Sequence, residues 1–311
     1  MKKIITLIAT VVLCSFCSIQ AQGWNTVEFP IEENINGASF VNADTAFFVT
    51  NQGKLLRTFD RLKSFDTFNP APGVSLEDVF FINSDIGFIC GSKGTLMRTT
   101  DGGYTFENIN IVDSIPWLFD IELFDNSHGL VIGLSRSQES PYGGIIYRTS
   151  DAGKTWTKVE PFGLGYSEIE YVNKKIYVQS FGRINYSSDF GKTWHSDSTV
   201  AGSPGRSFSI YKNNGILCGI RGMCAYTQDG GKSWISNYQD TTKLFVASQM
   251  IDDNEGFIGG AKSFIKRTTD GGKTWSDELM AKSFDVYDFV LVDDRLYAVG
   301  ANGGIIWKKV K

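Results

Sequence analysis

The sequence predicts an all-β fold: a seven-bladed β-propeller of four-stranded antiparallel blades, its ring closed by the N-terminal strand. Three observations carry this. An eight-residue phrase recurs at a near-constant interval, short aromatic and β-branched runs fill each interval, and the two ends of the chain read as parts of one blade.

The phrase is Ser/Thr-x-Asp-x-Gly-x-Thr/Ser-aromatic. It stands at 99–106, 149–156, 187–194, 227–234 and 268–275, with a worn copy at 58–65 where Leu62 replaces the glycine. Its aspartates are Asp60, Asp101, Asp151, Asp189, Asp229 and Asp270. Such a carboxylate accepts backbone N–H groups of its own turn. Gly103, Gly153, Gly191, Gly231 and Gly272 supply positive φ. Each copy therefore reads as a hairpin turn, and the aromatic that follows opens a strand. One carboxylate per turn, without neighbouring acids, is poor calcium chemistry; these aspartates are structural, and no metal or cofactor is expected.

The closing aromatics Phe65, Phe106, Trp156, Trp194, Trp234 and Trp275 are spaced 41, 50, 38, 40 and 41 apart. Counting 41 back from Phe65 reaches Trp24, in Gly23-Trp24-Asn25-Thr26-Val27, which matches Thr155-Trp156-Thr157-Lys158-Val159. At the other end Gly303-Gly304-Ile305-Ile306-Trp307-Lys308 matches Gly143-Gly144-Ile145-Ile146-Tyr147-Arg148. An outer strand at the start and three strands at the end complete a seventh blade. Blade two predicts strands at 76–82, 86–91, 95–99 and 104–109, bounded by Gly, Asn, Asp or Ser.

Met1-Lys2-Lys3, an apolar run over 4–19 and Gln20-Ala21-Gln22 read as a secretory signal peptide over 1–21, leaving one domain at 22–311. The run is short for a membrane span. The expected location is periplasmic or extracellular, with no transmembrane segment after signal removal. Of five cysteines, Cys90, Cys218 and Cys224 lie beyond the signal. Buried packing explains them, and a hairpin disulfide between Cys218 and Cys224 is the alternative. A net charge of −4 and no basic run argue against nucleic acid. With His128 and His195 alone, histidine-based metal or triad chemistry has little to work with.

The repeated phrase is the Asp-box, or BNR repeat, found in sialidases, sortilin-type receptors and several secreted propellers. Blade two resembles a narrower group, the photosystem II stability/assembly factor-like propellers. The likeness rests on Asp78-Val79-Phe80-Phe81, Gly87-Phe88-Ile89-Cys90-Gly91 and Gly94-Thr95-Leu96-Met97-Arg98-Thr99-Thr100-Asp101-Gly102-Gly103. The resemblance implies a non-enzymatic scaffold that binds another protein during assembly, here an envelope or secreted partner. Those relatives are associated with a basic patch; along this sequence no tight arginine cluster is visible. A carbohydrate-active propeller, a lectin or glycosidase with glycan as ligand, is the alternative. Sialidase is disfavoured: the chain has no Arg-x-Pro and no arginine before Arg57, and Arg57, Arg98, Arg148 and Arg267 share one repeat position.

Asp-boxes mark one face of the ring, so ligands are expected on the other. Two features point there. Between Gly133 and Gly144 blade three carries ten residues where blade two has two; this insertion, with Arg136 and Tyr142 in it, is either a candidate contact loop or tolerated surface drift. One inner-strand position collects Gly37, Asp78, Asp120, Glu168, Ser207, Ala247 and Asp288. Its acids, Asp78, Asp120, Glu168 and Asp288, either converge to bind a cation or work as an acid/base pair, or are solvated strand starts bonded to local N–H groups. Trp117 and Phe181 are nearby aromatics, there either to stack on a sugar or to serve packing.

Overall fold

The computed structural model describes residues 23–111, 117–135, 143–159, 163, 165–180, 183–199, 205–238 and 240–310. Arg136, Tyr142, Phe181 and the signal segment lie outside the described residues.

Seven four-stranded antiparallel sheets form in chain order. Blades one to six span 35–68, 76–108, 117–159, 166–199, 205–238 and 245–278. The seventh joins Val286–Val292, Arg295–Gly300 and Gly304–Lys309 to the N-terminal strand Trp24–Thr26. In that last pairing Trp24 faces Lys308 and Thr26 faces Ile306, and Val27 N–H donates to the Ile305 carbonyl at 3.1 Å. Ring closure by the first strand is thus as the sequence predicts.

Blade two shows where the strand reading overreached. Its outer strand is Glu107–Asn108, not 104–109. The N–H of Thr105 is already committed to Asp101 Oδ1 at 2.9 Å, so it is withheld from any ladder. The box is a closed local network. Thr99 Oγ1 donates to Asp101 Oδ1 and accepts from Gly103 N–H, while Thr105 Oγ1 donates to Asp101 Oδ2 at 2.6 Å. Gly103 takes φ +80°, and the residue before it, Gly102, also takes φ +72°. The turn therefore needs two consecutive left-handed residues, which the repeated glycine alone did not reveal. The worn copy folds the same way: Leu62 adopts φ 65° and its N–H donates to Thr58 Oγ1.

A carboxylate bound this way is held low. Hydroxyl and N–H donors from Thr105 keep Asp101 at about 2, and those from Ser64 do the same for Asp60. Asp151→Ala removes the acceptor for Thr155 N–H and Oγ1 in a largely solvated turn. The expected cost is about 1 kcal/mol, measured by urea melts and unchanged by adding calcium or chelator.

The core is divided among the gaps between blades. Among the described residues seven apolar clusters each join two neighbouring sheets. Between blades one and two Phe47 stacks on Phe81 with ring centroids 3.4 Å apart. Arg57, buried in the same seam, donates to the Gly102 carbonyl of the next box at 2.7 Å and to Asp66, and lies over the Tyr104 ring. Its repeat equivalent Arg267 pairs with Glu255 at 2.8 Å. The arginines before the boxes are blade architecture. Cys90, Cys218 and Cys224 are buried free thiols.

Candidate functional site

Every inner strand carries a β-bulge near its start, and the position predicted from sequence follows it in all seven blades. The register breaks at Ile35/Gly37, Leu76/Asp78, Leu118/Asp120, Tyr166/Glu168, Gly205/Ser207, Phe245/Ala247 and Val286/Asp288. A bulge leaves one residue unpaired and re-aims its neighbour. Here it turns the following side chain across the gap to the next blade. Asp78 Oδ2 accepts Ile121 N–H at 3.0 Å, Asp120 Oδ2 accepts Ile169 N–H at 2.5 Å, and Glu168 Oε2 accepts Phe208 N–H at 2.6 Å. Asp288 accepts the N–H of Ala38 across the closure. The carboxylates bond to backbone N–H groups of the adjacent blade, those of Asp120 and Asp288 also to one of their own strand, and all four side chains are half-buried.

The four acids also sense one another. Asp78 and Asp120 interact carboxyl to carboxyl, so the two titrate as a pair. Burial first, then Asp120 and Asp288, pushes Asp78 well above the usual carboxylate range. Burial holds Asp288 at about 7 and drives Glu168 well above its ordinary value, partly opposed by its bond to Phe208 N–H.

Two further acids were missed from the sequence. Glu122 and Glu170 stand two residues beyond Asp120 and Glu168, and period-two alternation puts each on the same face as its predecessor. Glu170 receives Ile210 N–H and Ser209 Oγ–H, and burial raises it to about 8. Glu122 is raised well above its usual value by burial and by Asp120 and Glu170. The signal was present in the Asp-x-Glu and Glu-x-Glu spacings. In blades one and five serines do the same work: Ser39 Oγ accepts Phe81 N–H, and Ser209 Oγ accepts Met250 N–H. Blade-to-blade bonding is thus a property of these positions, with carboxyls on one arc of the ring. Among the described residues no His, Cys, Asp or Glu group has an arrangement that would hold a metal.

The ring end opposite the boxes holds what the linear sequence scattered. Arg183 begins a third strand, Arg206 is the bulged residue of blade five, and Arg221 is the tip of the Ile220–Gly222 turn. All three are exposed on adjacent blades four and five, and none has an ion-pair partner among the described residues. Lys262 adds an exposed cation on blade six. Trp117, 38% exposed, stacks on Phe119, and its indole donates to Glu77. In blade three part of the inserted loop simply lengthens the hairpin, since Leu134 and Ser135 pair with Gly144 and Gly143.

A family model described as photosynthesis system II assembly factor YCF48 matches residues 17–159 and 206–284. The chain belongs to the YCF48 family. Among solved structures it is similar to YCF48 bound to D1 peptide, with TM-score 0.73, 19% identity, and 93% of this chain and 97% of that one covered. YCF48 from Cyanidioschyzon merolae gives TM-score 0.72 and 15% identity over 92% and 99%. The WD40 β-propeller domain of Doa1 gives 0.69 and 8% over 91% and 94%, which reflects the shared ring architecture. Comparison with curated proteins gives no match.

Proposed function

We propose that this chain is an exported, non-catalytic propeller that holds a segment of another envelope protein against the ring end opposite its Asp-boxes. Membership of the YCF48 family carries the reading: the matched stretches take in blades from both halves of the propeller, and a YCF48 of the same fold has been seen with a D1 peptide. The geometry supports it. The inner-strand carboxyls are spent on neighbouring blades, whereas Arg183, Arg206 and Arg221 are exposed and have no ion-pair partner among the described residues. Guanidiniums of this kind bind carboxylates bidentately. The complementary segment is therefore acidic or carries a free C-terminus. Export is supported by the segment over 1–21.

The test is capture of clients by the tagged protein from the native envelope, followed by binding of the captured client to purified variants. Arg206→Glu with Arg221→Glu should weaken binding at least ~10-fold, as expected for lost charge-assisted contacts, while the thermal midpoint stays unchanged. Undiminished binding by the charge-reversed protein would move the site elsewhere on the ring.

A further inference from the structure

We propose that Cys218 and Cys224 form a cross-strand disulfide when the blade-five hairpin folds in an oxidising environment. The two residues are register partners on the second and third strands. Gly219 N–H donates to the Met223 carbonyl at 3.0 Å, which makes the adjoining Gly219/Met223 pair hydrogen-bonded. Alternation along an antiparallel ladder then makes Cys218/Cys224 a non-hydrogen-bonded pair, the kind with Cα atoms about 4.5 Å apart and side chains closest. A disulfide spans Cα separations of about 4.4–6.8 Å. Both side chains belong to the cluster facing blade six, beside Phe245, Met250 and Ile258, so they lie on one face of the sheet. Cys90 is the internal contrast. It occupies the matching second-strand position, opposite Asp78 as Cys218 is opposite Ser207, but its third-strand partner is Leu96.

The reduced form is the one in this structure, with both thiols fully buried. Burial also raises both thiols far above their ordinary range, so the folded hairpin has almost no thiolate to react. Oxidation therefore belongs to folding, before blade six covers the pair. The oxidant is a disulfide, either of small-molecule or of protein class. One cysteine thiolate attacks it, forms a mixed disulfide and expels one thiolate. The second cysteine thiolate then attacks the mixed disulfide and expels the other. Two cysteine thiols lose two protons and two electrons, and one external disulfide becomes two thiols. The bond would clip the base of the Ile220–Gly222 turn, in which Arg221 is held at φ 54°, and so fix a residue of the proposed binding face.

The pairing rests on register alone; its presence in the cell rests on the export reading. Protein refolded with reduced and oxidised glutathione and alkylated in denaturant should lose 2 Da at the Cys218–Cys224 linkage, found by non-reducing peptide mapping. Cys90→Ser should keep the linkage, and Cys218→Ser or Cys224→Ser should abolish it. Reduction should lower the thermal midpoint of the oxidised protein by about 2–5 °C. The folded, reduced protein should oxidise far more slowly than the refolding chain. Full alkylation of both cysteines after oxidative refolding overturns the pairing. A linkage in refolded protein but free thiols in protein taken from whole native cells upholds the pairing and counts against export.

Discussion

Deleting residues 24–29 is expected to cost this protein its fold or its solubility. Trp24 is buried, lies edge-on to Phe257 at 6.1 Å, and donates its indole N–H to Glu278. Phe29 packs against Phe48 and Phe65 of blade one. The segment 24–29 therefore ties the last blade to both its neighbours. Without it the strand Gly304–Lys309 presents an unpaired edge, a template for association. Trp24→Ala alone should destabilise by about 3–5 kcal/mol, and the full deletion by more. Denaturant melts and size-exclusion chromatography of the two variants provide the measurement. A deleted protein that stays monomeric with its thermal midpoint intact would show that the ring closes by other means.

Raising the pH from about 5 to about 8.5 should lower the thermal midpoint by ~5 °C or more, the size expected when several buried groups titrate together. Asp78, Asp120, Glu122, Glu168, Glu170 and Asp288 all titrate higher in the folded protein than in the unfolded chain, chiefly through burial. Between the ordinary carboxyl range and the folded values, the folded state keeps protons that the unfolded chain has released. Folding takes up protons there, so stability falls with rising pH. The contribution is whole below about pH 4 and is lost as pH rises through about 7 for Asp288 and about 8 for Glu170. The box aspartates act in the opposite sense. Asp60, Asp101 and Asp189 are held at about 2, and their support is lost as pH falls from the usual range toward that value. Maximum stability should lie between these windows.

Replacing Asp78, Asp120, Glu168 and Asp288 with their amides separates charge from bonding. An amide oxygen still accepts the N–H of the next blade but carries no charge. The fourfold variant should melt above the wild type at pH 8.5 and close to it or below it at pH 5, with or without calcium. Melting points of the wild type that stay level from pH 5 to 8.5 would mean the carboxyls ionise freely in channel water.

The sequence by itself determined the architecture. A box turn is closed by hydrogen bonds spanning two to four residues, as between Thr99, Asp101, Gly103 and Thr105, so its chemistry is written in one short stretch. Repetition then supplied the blade count, and the matching ends supplied the closure. The inner-strand acids were legible as a position but not as a role. Asp120 and Ile169 are 49 residues apart in sequence, and only the packed ring sets one against the other. Whether such a carboxyl is solvated, paired or protonated depends on how much water and how many N–H groups the neighbouring blade leaves it. That is a property of packing. The arginines are the clearest case. Arg183, Arg206 and Arg221 look unrelated along the chain, because a third-strand start, a bulge and a turn tip have different local sequence contexts. The propeller brings all three to one end of two adjacent blades, because successive strands alternate in direction and each turn of a given kind returns to the same face.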